Sequence, residues 1–156
     1  MVILRAFALM LLVAFAPRPG LAEEGDEFPV HVVEAFLGGA TRLAGGHSES
    51  GFAWGAGYEF RFSRWLGTGI TVEAVSGELR DVLVVVPLFV HPWRGLRLEV
   101  APGAEFSKEP TEFAIRFGIA YEFGIWRRLS LTPEFNVDLA DGEETLVYGL
   151  AVGWEF

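Results

Sequence analysis

Large apolar residues and small or polar residues alternate one for one along most of the chain. The stretch "FAWGAGYEFRFS" sets Phe52, Trp54, Ala56, Tyr58, Phe60 and Phe62 against Ala53, Gly55, Gly57, Glu59, Arg61 and Ser63. "WLGTGITVEAV" sets Leu66, Thr68, Ile70 and Val72 against Gly67, Gly69, Thr71 and Glu73. The same alternation runs through "LRLEVAPGAEF", with Arg97 and Glu99 on the polar side, and through "FAIRFGIAYEF", with Arg116 and Glu122 there. In "LSLTPEFNVDL" the polar side carries Glu134, Asn136 and Asp138. The chain ends on "LVYGLAVGWEF", whose apolar side is Leu146, Tyr148, Leu150, Val152, Trp154 and Phe156. "VLVVVPLFVH" is apolar on both sides, and "VHVVEAFLGG" alternates weakly with Glu34 on the polar side. A period of two is the strand period, and no convincing helical period competes with it. The pattern predicts an all-β chain of eight antiparallel strands.

Strands of about ten residues cross a tilted path through a bilayer. The connections alternate as well. "RW", "HPWRG" and "GIWRR" read as tight turns, whereas "ATRLAGGHSESG", "SGELRD", "SKEPTE" and "ADGEET" read as polar and mostly longer loops. Tight turns on one rim and longer loops on the other describe an up-and-down barrel inserted from one side.

Alternation leaves open which side faces out, because a soluble lipocalin-like barrel around a ligand alternates too. Three features favour lipid outside. The polar side is rich in glycine at positions 55, 57, 67, 69, 103, 118, 149 and 153, as a narrow lumen requires. That side mixes Glu59, Glu73, Glu99, Glu105, Glu122, Glu134 and Asp138 with Arg61, Arg97 and Arg116, which can pair when enclosed. Aromatics gather near both ends of the apolar side. Trp65, Tyr121, Phe123, Trp154 and Phe156 lie toward the tight turns, and Phe52, Trp54, Phe106, Phe113 and Tyr148 toward the loops. Pairing across "GIWRR" about a centre near residue 126 is expected to set Arg116 opposite Asn136, with Glu134 and Asp138 as diagonal neighbours.

The first 22 residues stand apart. Arg5 precedes an apolar run from Ala6 to Ala16, Pro17 and Pro19 break it, and Gly20 and Ala22 are the small residues third and first before a cleavage point after Ala22. The run is too short to span a bilayer as a helix, so residues 1–22 read as a Sec-type export signal and residues 23–156 as the barrel domain. Loss of Arg5 and Arg18 leaves ten basic residues against 21 acids, a net charge of −11. A chain so acidic is not expected to bind nucleic acid. There is no cysteine, which excludes thiol catalysis and zinc–thiolate sites.

Eight amphipathic strands ending on Tyr148, Leu150, Val152, Trp154 and Phe156 resemble the small eight-stranded bacterial outer-membrane barrels, typified by the outer membrane protein A transmembrane domain and the opacity proteins. The resemblance covers the whole mature chain in architecture. It implies a location in the outer membrane of a Gram-negative bacterium. It also implies that the terminal strand is read by the barrel-assembly machinery. A monomer in contact with outer-membrane lipids and lipopolysaccharide is expected.

Catalytic groupings are scarce. His47 lies beside Ser48, Glu49 and Ser50, the raw material of acyl transfer, but loop neighbours rarely converge. The carboxylates Glu78, Asp81, Glu109, Glu112, Asp141, Glu143 and Glu144 have no calcium-loop spacing. Pro87, Pro102 and Pro133 fall inside strands, where each should leave a carbonyl unpaired or mark a bulge. The expectation is a structural or general envelope-interaction barrel with no catalytic residues, cofactor or metal. Two alternatives remain: an outer-leaflet lipid-modifying enzyme, with the strand prolines as a lateral lipid gate, and a soluble periplasmic ligand-binding barrel.

Overall fold

The computed structural model describes residues 29–107 and 110–156, so the expected export signal and its cleavage point, like Lys108 and Glu109, lie outside the described residues. The strand segments are β1 (His31–Ala44), β2 (His47–Arg61), β3 (Leu66–Gly77), β4 (Val82–Val85), β5 (Leu88–Trp93), β6 (Leu96–Phe106), β7 (Glu112–Tyr121), β8 (Phe123–Trp126), β9 (Leu129–Ala140) and β10 (Glu143–Glu155). β4 and β5 lie end to end between β3 and β6, and β7 and β8 lie end to end along β9, so the wall has eight strands. Every neighbouring pair is antiparallel. β1 joins β10 in unbroken register from Val32↔Glu155 to Leu43↔Glu144, which closes the sheet into a barrel and removes its edges. The His31 N–H donates to the Phe156 carbonyl at 3.1 Å and the Phe156 N–H to His31 at 3.0 Å, so the seam runs to the last residue.

The expected long first loop is a hairpin instead. Ala44 pairs with His47, and the turn is Gly45-Gly46 with φ of 52° and 89°. A two-residue turn with positive φ at both positions matches the right-handed twist of its strands, and glycine adopts it without strain. Asp141-Gly142, at φ 45° and 81°, makes the same turn between β9 and β10. The connections on this far rim are therefore short too, and much of the "loop" sequence is strand that continues β1 and β2 past the apolar belt.

The strand prolines do not shift the register. Pro102 stays opposite Ile115 and Pro133 opposite Leu150. Pro87 parts β4 from β5, yet the pairing of β3 is in the same register on both sides of the break. The Thr68 hydroxyl donates to the Pro87 carbonyl at 2.9 Å, and the Val86 N–H to the Pro102 carbonyl at 2.9 Å. The irregularities lie between Val90 and Trp93 and between Gly124 and Trp126, next to the turns.

The facing follows the alternation. Trp54 is 52% exposed, Phe113 69% and Phe156 54%, although each is a large apolar side chain. Glu59, Arg97 and Arg116 are buried. The soluble ligand-binding barrel would need the opposite arrangement, and the transmembrane barrel replaces it. Two apolar clusters share the interior with the charges: Phe36, Ala40, Ala53, Leu79, Val147 and Ala151 in one, Leu83, Val85, Ala101, Ala114 and Ala140 in the other.

Candidate functional site

The lumen is organised around four arginines. Arg116 on β7 is 1% exposed. Its Nε donates to Asp138 Oδ1 at 2.6 Å and its Nη2 to Asp138 Oδ2 at 2.7 Å. The other side of the same fork reaches Glu73 on β3, with Nη1 at 3.0 Å from Oε2 and Nη2 at 2.9 Å from Oε1. A planar guanidinium holding two carboxylates in bidentate geometry ties β3 to the β7–β9 side of the wall. Asp138, and not the expected Asn136, is the residue directly opposite Arg116. The turn is Arg127-Arg128, with Arg127 at φ 29° and Trp126 opposite Leu129, and the irregularity between Gly124 and Trp126 then shifts the pairing by one residue, so that Gly124 meets Ser130 and Arg116 meets Asp138.

Glu134 belongs to a second cluster. Arg97 Nη2 donates to it at 3.1 Å, and Arg97 Nη1 donates to both Glu34 oxygens at 2.7 and 2.8 Å. The Arg97 guanidinium also sits 5.1 Å from the centre of the Phe89 ring. Toward the rim that holds the chain terminus, Arg61 Nη2 bonds Glu122 at 2.6 Å and Glu59 at 3.2 Å, and His91 Nε2 lies 2.6 Å from Glu59 Oε1. Glycine makes room for this packing. A Cβ at Gly67 would lie 2.5 Å from Glu59 Oε1, and one at Gly118 would meet Asn136 and the Glu99 side chain.

At the far rim Arg42 gathers Glu105 at 2.6 Å, Asp81 at 2.8 Å and Thr145 at 3.0 Å. Burial lifts the Asp81 carboxyl above its ordinary range, with Arg42 opposing. Arg42 and Asp81 are absent from the network expected from sequence. The signal for Arg42 was present, since the even-numbered inward register of β1 continues from Glu34 through Ala40 to Arg42. Asp81 carries no such signal, because it sits in a loop. Glu99 is the expected member left least satisfied: its Oε1 is buried with no hydrogen-bond partner among the described residues.

Glu99 lines a void of about 20 Å³ together with Glu34, Glu73, Phe89, Arg97 and Arg116. That volume holds about one water molecule. Small-molecule pockets run to about 300 Å³ or more. No group of three or more His, Cys, Asp or Glu side chains suited to a metal ion occurs among the described residues. The Ser/His/Glu set near the first turn does not converge. His47 and Glu49 alternate along β2 with Ser48 and Ser50, so the histidine and the serines face opposite ways.

Outside, Tyr148, Leu150, Val152 and Trp154 on β10, followed by Phe156, form one exposed stripe beside the β1 seam. Phe156 stacks on His31 with ring centres 5.9 Å apart, and His31 Nδ1 lies 2.8 Å from the Tyr58 hydroxyl.

A closed eight-stranded antiparallel barrel with an apolar exterior and a plugged charged interior defines the small outer-membrane β-barrel fold. The solved structures similar to this chain have that fold. Ail, the attachment invasion locus protein of Yersinia pestis, in complex with the heparin analogue sucrose octasulfate, matches with a TM-score of 0.63 at 10% identity, over 81% of this chain and 97% of that one. The N-terminal β-barrel domain of Pseudomonas aeruginosa OprF matches at 0.60 and 13% identity, over 82% and 98%. Neisserial surface protein A matches at 0.58 and 10% identity, over 81% and 97%. A de novo designed transmembrane β-barrel also matches, at 0.55 and 14% identity, over 83% and 99%, so the fold by itself carries no particular activity. No family model matches the chain, and no curated protein matches it in sequence.

Proposed function

We propose that the chain is an integral outer-membrane protein of a Gram-negative bacterium with a structural, envelope-stabilising role and no catalytic activity. The observation that carries this reading is the pairing of an unbroken apolar belt with a lumen closed by arginine–carboxylate bridges. The belt needs hydrocarbon around it. Among the described residues, the void lined by Glu34, Glu99, Arg97 and Arg116 is too small for a substrate. His31 and Phe156 lie on the rim that faces the periplasm, and the β1–β2 and β9–β10 hairpins point outward. The far rim carries the carboxylates of Glu49, Glu78, Glu112, Asp141, Glu143 and Glu144. Contact with lipopolysaccharide there runs through acyl chains on the belt, and through divalent cations shared between rim carboxylates and lipid phosphates.

Two measurements test the reading. Fractionation should recover the protein in the outer membrane, as a species that migrates faster on a gel before boiling than after. Lipid A from cells with and without the protein should have the same mass spectrum. A soluble periplasmic protein would overturn the membrane assignment, and a lipid A species made only when the protein is present would overturn the non-catalytic one.

A further inference from the structure

The rim that carries the chain terminus repeats one chemical device at each of its three turns. Arg64-Trp65 lies between β2 and β3, Trp93 ends β5 and is followed by Arg94, and Trp126 ends β8 and is followed by Arg127-Arg128. Trp65 is 52% exposed, Trp93 64% and Trp126 74%, so each indole projects from the wall. The four arginines are exposed as well. Arg64, Arg127 and Arg128 make no side-chain ion pair among the described residues, although carboxylates abound elsewhere in the molecule. The lumenal arginines Arg61, Arg97 and Arg116 are each engaged by carboxylates. Among the described residues, guanidinium groups without a carboxylate partner, those of Arg64, Arg127 and Arg128, thus lie at one end of the barrel.

Tryptophan settles where hydrocarbon meets headgroups, because its ring is apolar and its N–H donates a hydrogen bond. An arginine next to it in a tight turn is then held at the depth of lipid phosphates, and its fork matches a phosphate in bidentate geometry. We propose that the turns carrying Arg64-Trp65 and Trp126-Arg127-Arg128 form binding positions for anionic phospholipid headgroups in the leaflet bordering this rim. These positions fix the depth at which the barrel sits in that leaflet and enrich anionic lipid around it. The inference rests on the reading that the belt spans a membrane.

The test reconstitutes the full chain in phosphatidylcholine vesicles containing either brominated phosphatidylglycerol or brominated phosphatidylcholine, and reads quenching of tryptophan fluorescence. The native protein should prefer the anionic lipid by roughly fivefold or more, since one interfacial arginine supplies about that factor. The preference should fall toward one in high salt and in the triple variant Arg64→Gln, Arg127→Gln, Arg128→Gln, with folding confirmed by gel mobility. Arg80→Gln, on the opposite rim, should leave it unchanged. Inorganic phosphate at matched ionic strength should not reduce it, and a collapse in phosphate would show a site for the free anion instead of a lipid surface. Equal quenching by both lipids in the native protein, or a preference that survives in the triple variant, would overturn the proposal. Absence of quenching by either lipid would instead mean that the belt does not contact hydrocarbon at all.

Discussion

At the scale of single residues, neighbours on a strand meet opposite environments. Arg116 is bridged to Asp138 and Glu73 inside the wall, and Ile115 faces the belt. Replacing Arg116 by leucine strands two carboxylates in an enclosed space and should cost roughly 3–5 kcal/mol. Glu73→Gln and Asp138→Asn should each relieve part of that loss. Glu134→Gln should not, because Glu134 is held by Arg97. Ile115→Arg pushes a charge into hydrocarbon and should cost about 2–4 kcal/mol near the midplane, whereas Ile115→Leu should be nearly silent. Reversible urea unfolding in lipid vesicles measures all of these, and a double-mutant cycle isolates the couplings. Gly67 gives a steric counterpart. Its missing Cβ is the space occupied by the Glu59 carboxylate, so Gly67→Val should destabilise by about 1–3 kcal/mol in the same assay. A neutral result would show that the Glu59 cluster can move aside.

At the scale of elements, β10 has two tasks. It completes the ladder with β1, and it displays Tyr148, Leu150, Val152, Trp154 and Phe156 as one apolar stripe. Deleting Phe156 removes two backbone hydrogen bonds to His31 and the ring that stacks on it. Those losses are small beside the whole seam. If the stripe is the signal read during insertion, the deletion should lower outer-membrane yield strongly, with unfolded protein accumulating in the periplasm. Molecules already inserted should lose little stability. Yield equal to that of the intact chain would remove the assembly role. The first hairpin shows where local reading of an element fails. Gly45 and Gly46 are obvious turn residues, yet the Thr, Ser and Glu around them suggested a broad loop. Above the apolar belt a strand is wet on both faces, so it loses the alternation that marks its neighbours.

At the scale of the whole molecule, the interior is closed at several heights along the axis by Arg42, Arg116, Arg97 and Arg61 with their carboxylates. Planar-bilayer recordings of the purified protein should show no steady conductance at neutral pH and moderate salt. Arg116→Leu alone should not open one, because the Arg97 and Arg61 clusters still block the path. A stable open level in the unaltered protein would show that the bridges break readily, against the buried bidentate geometry of Arg116.

The sequence by itself determined the strand period, the number of wall strands, the class of side chain inside and, outside the first strand and the doubly apolar "VLVVVPLFVH", the side of each strand that meets lipid. These follow from local physics: pleating sends alternate residues to opposite faces, and a closed wall has two solvents, hydrocarbon and lumen. That is why Glu59, Arg97, Arg116 and Asp138 could be assigned to one enclosed face before any contact was known. Which carboxylate meets which arginine was decided only in three dimensions. Arg116 meets Asp138 because the last tight turn falls on Arg127-Arg128 and the irregularity between Gly124 and Trp126 shifts the pairing of the preceding strand on β9 by one residue. Glu73 reaches the same guanidinium from β3 because closure brings distant strands within a side chain's length of each other. Register is a sum over a turn and every residue between, and closure is a property of the whole sheet, so neither is written in the neighbours of the residues they join.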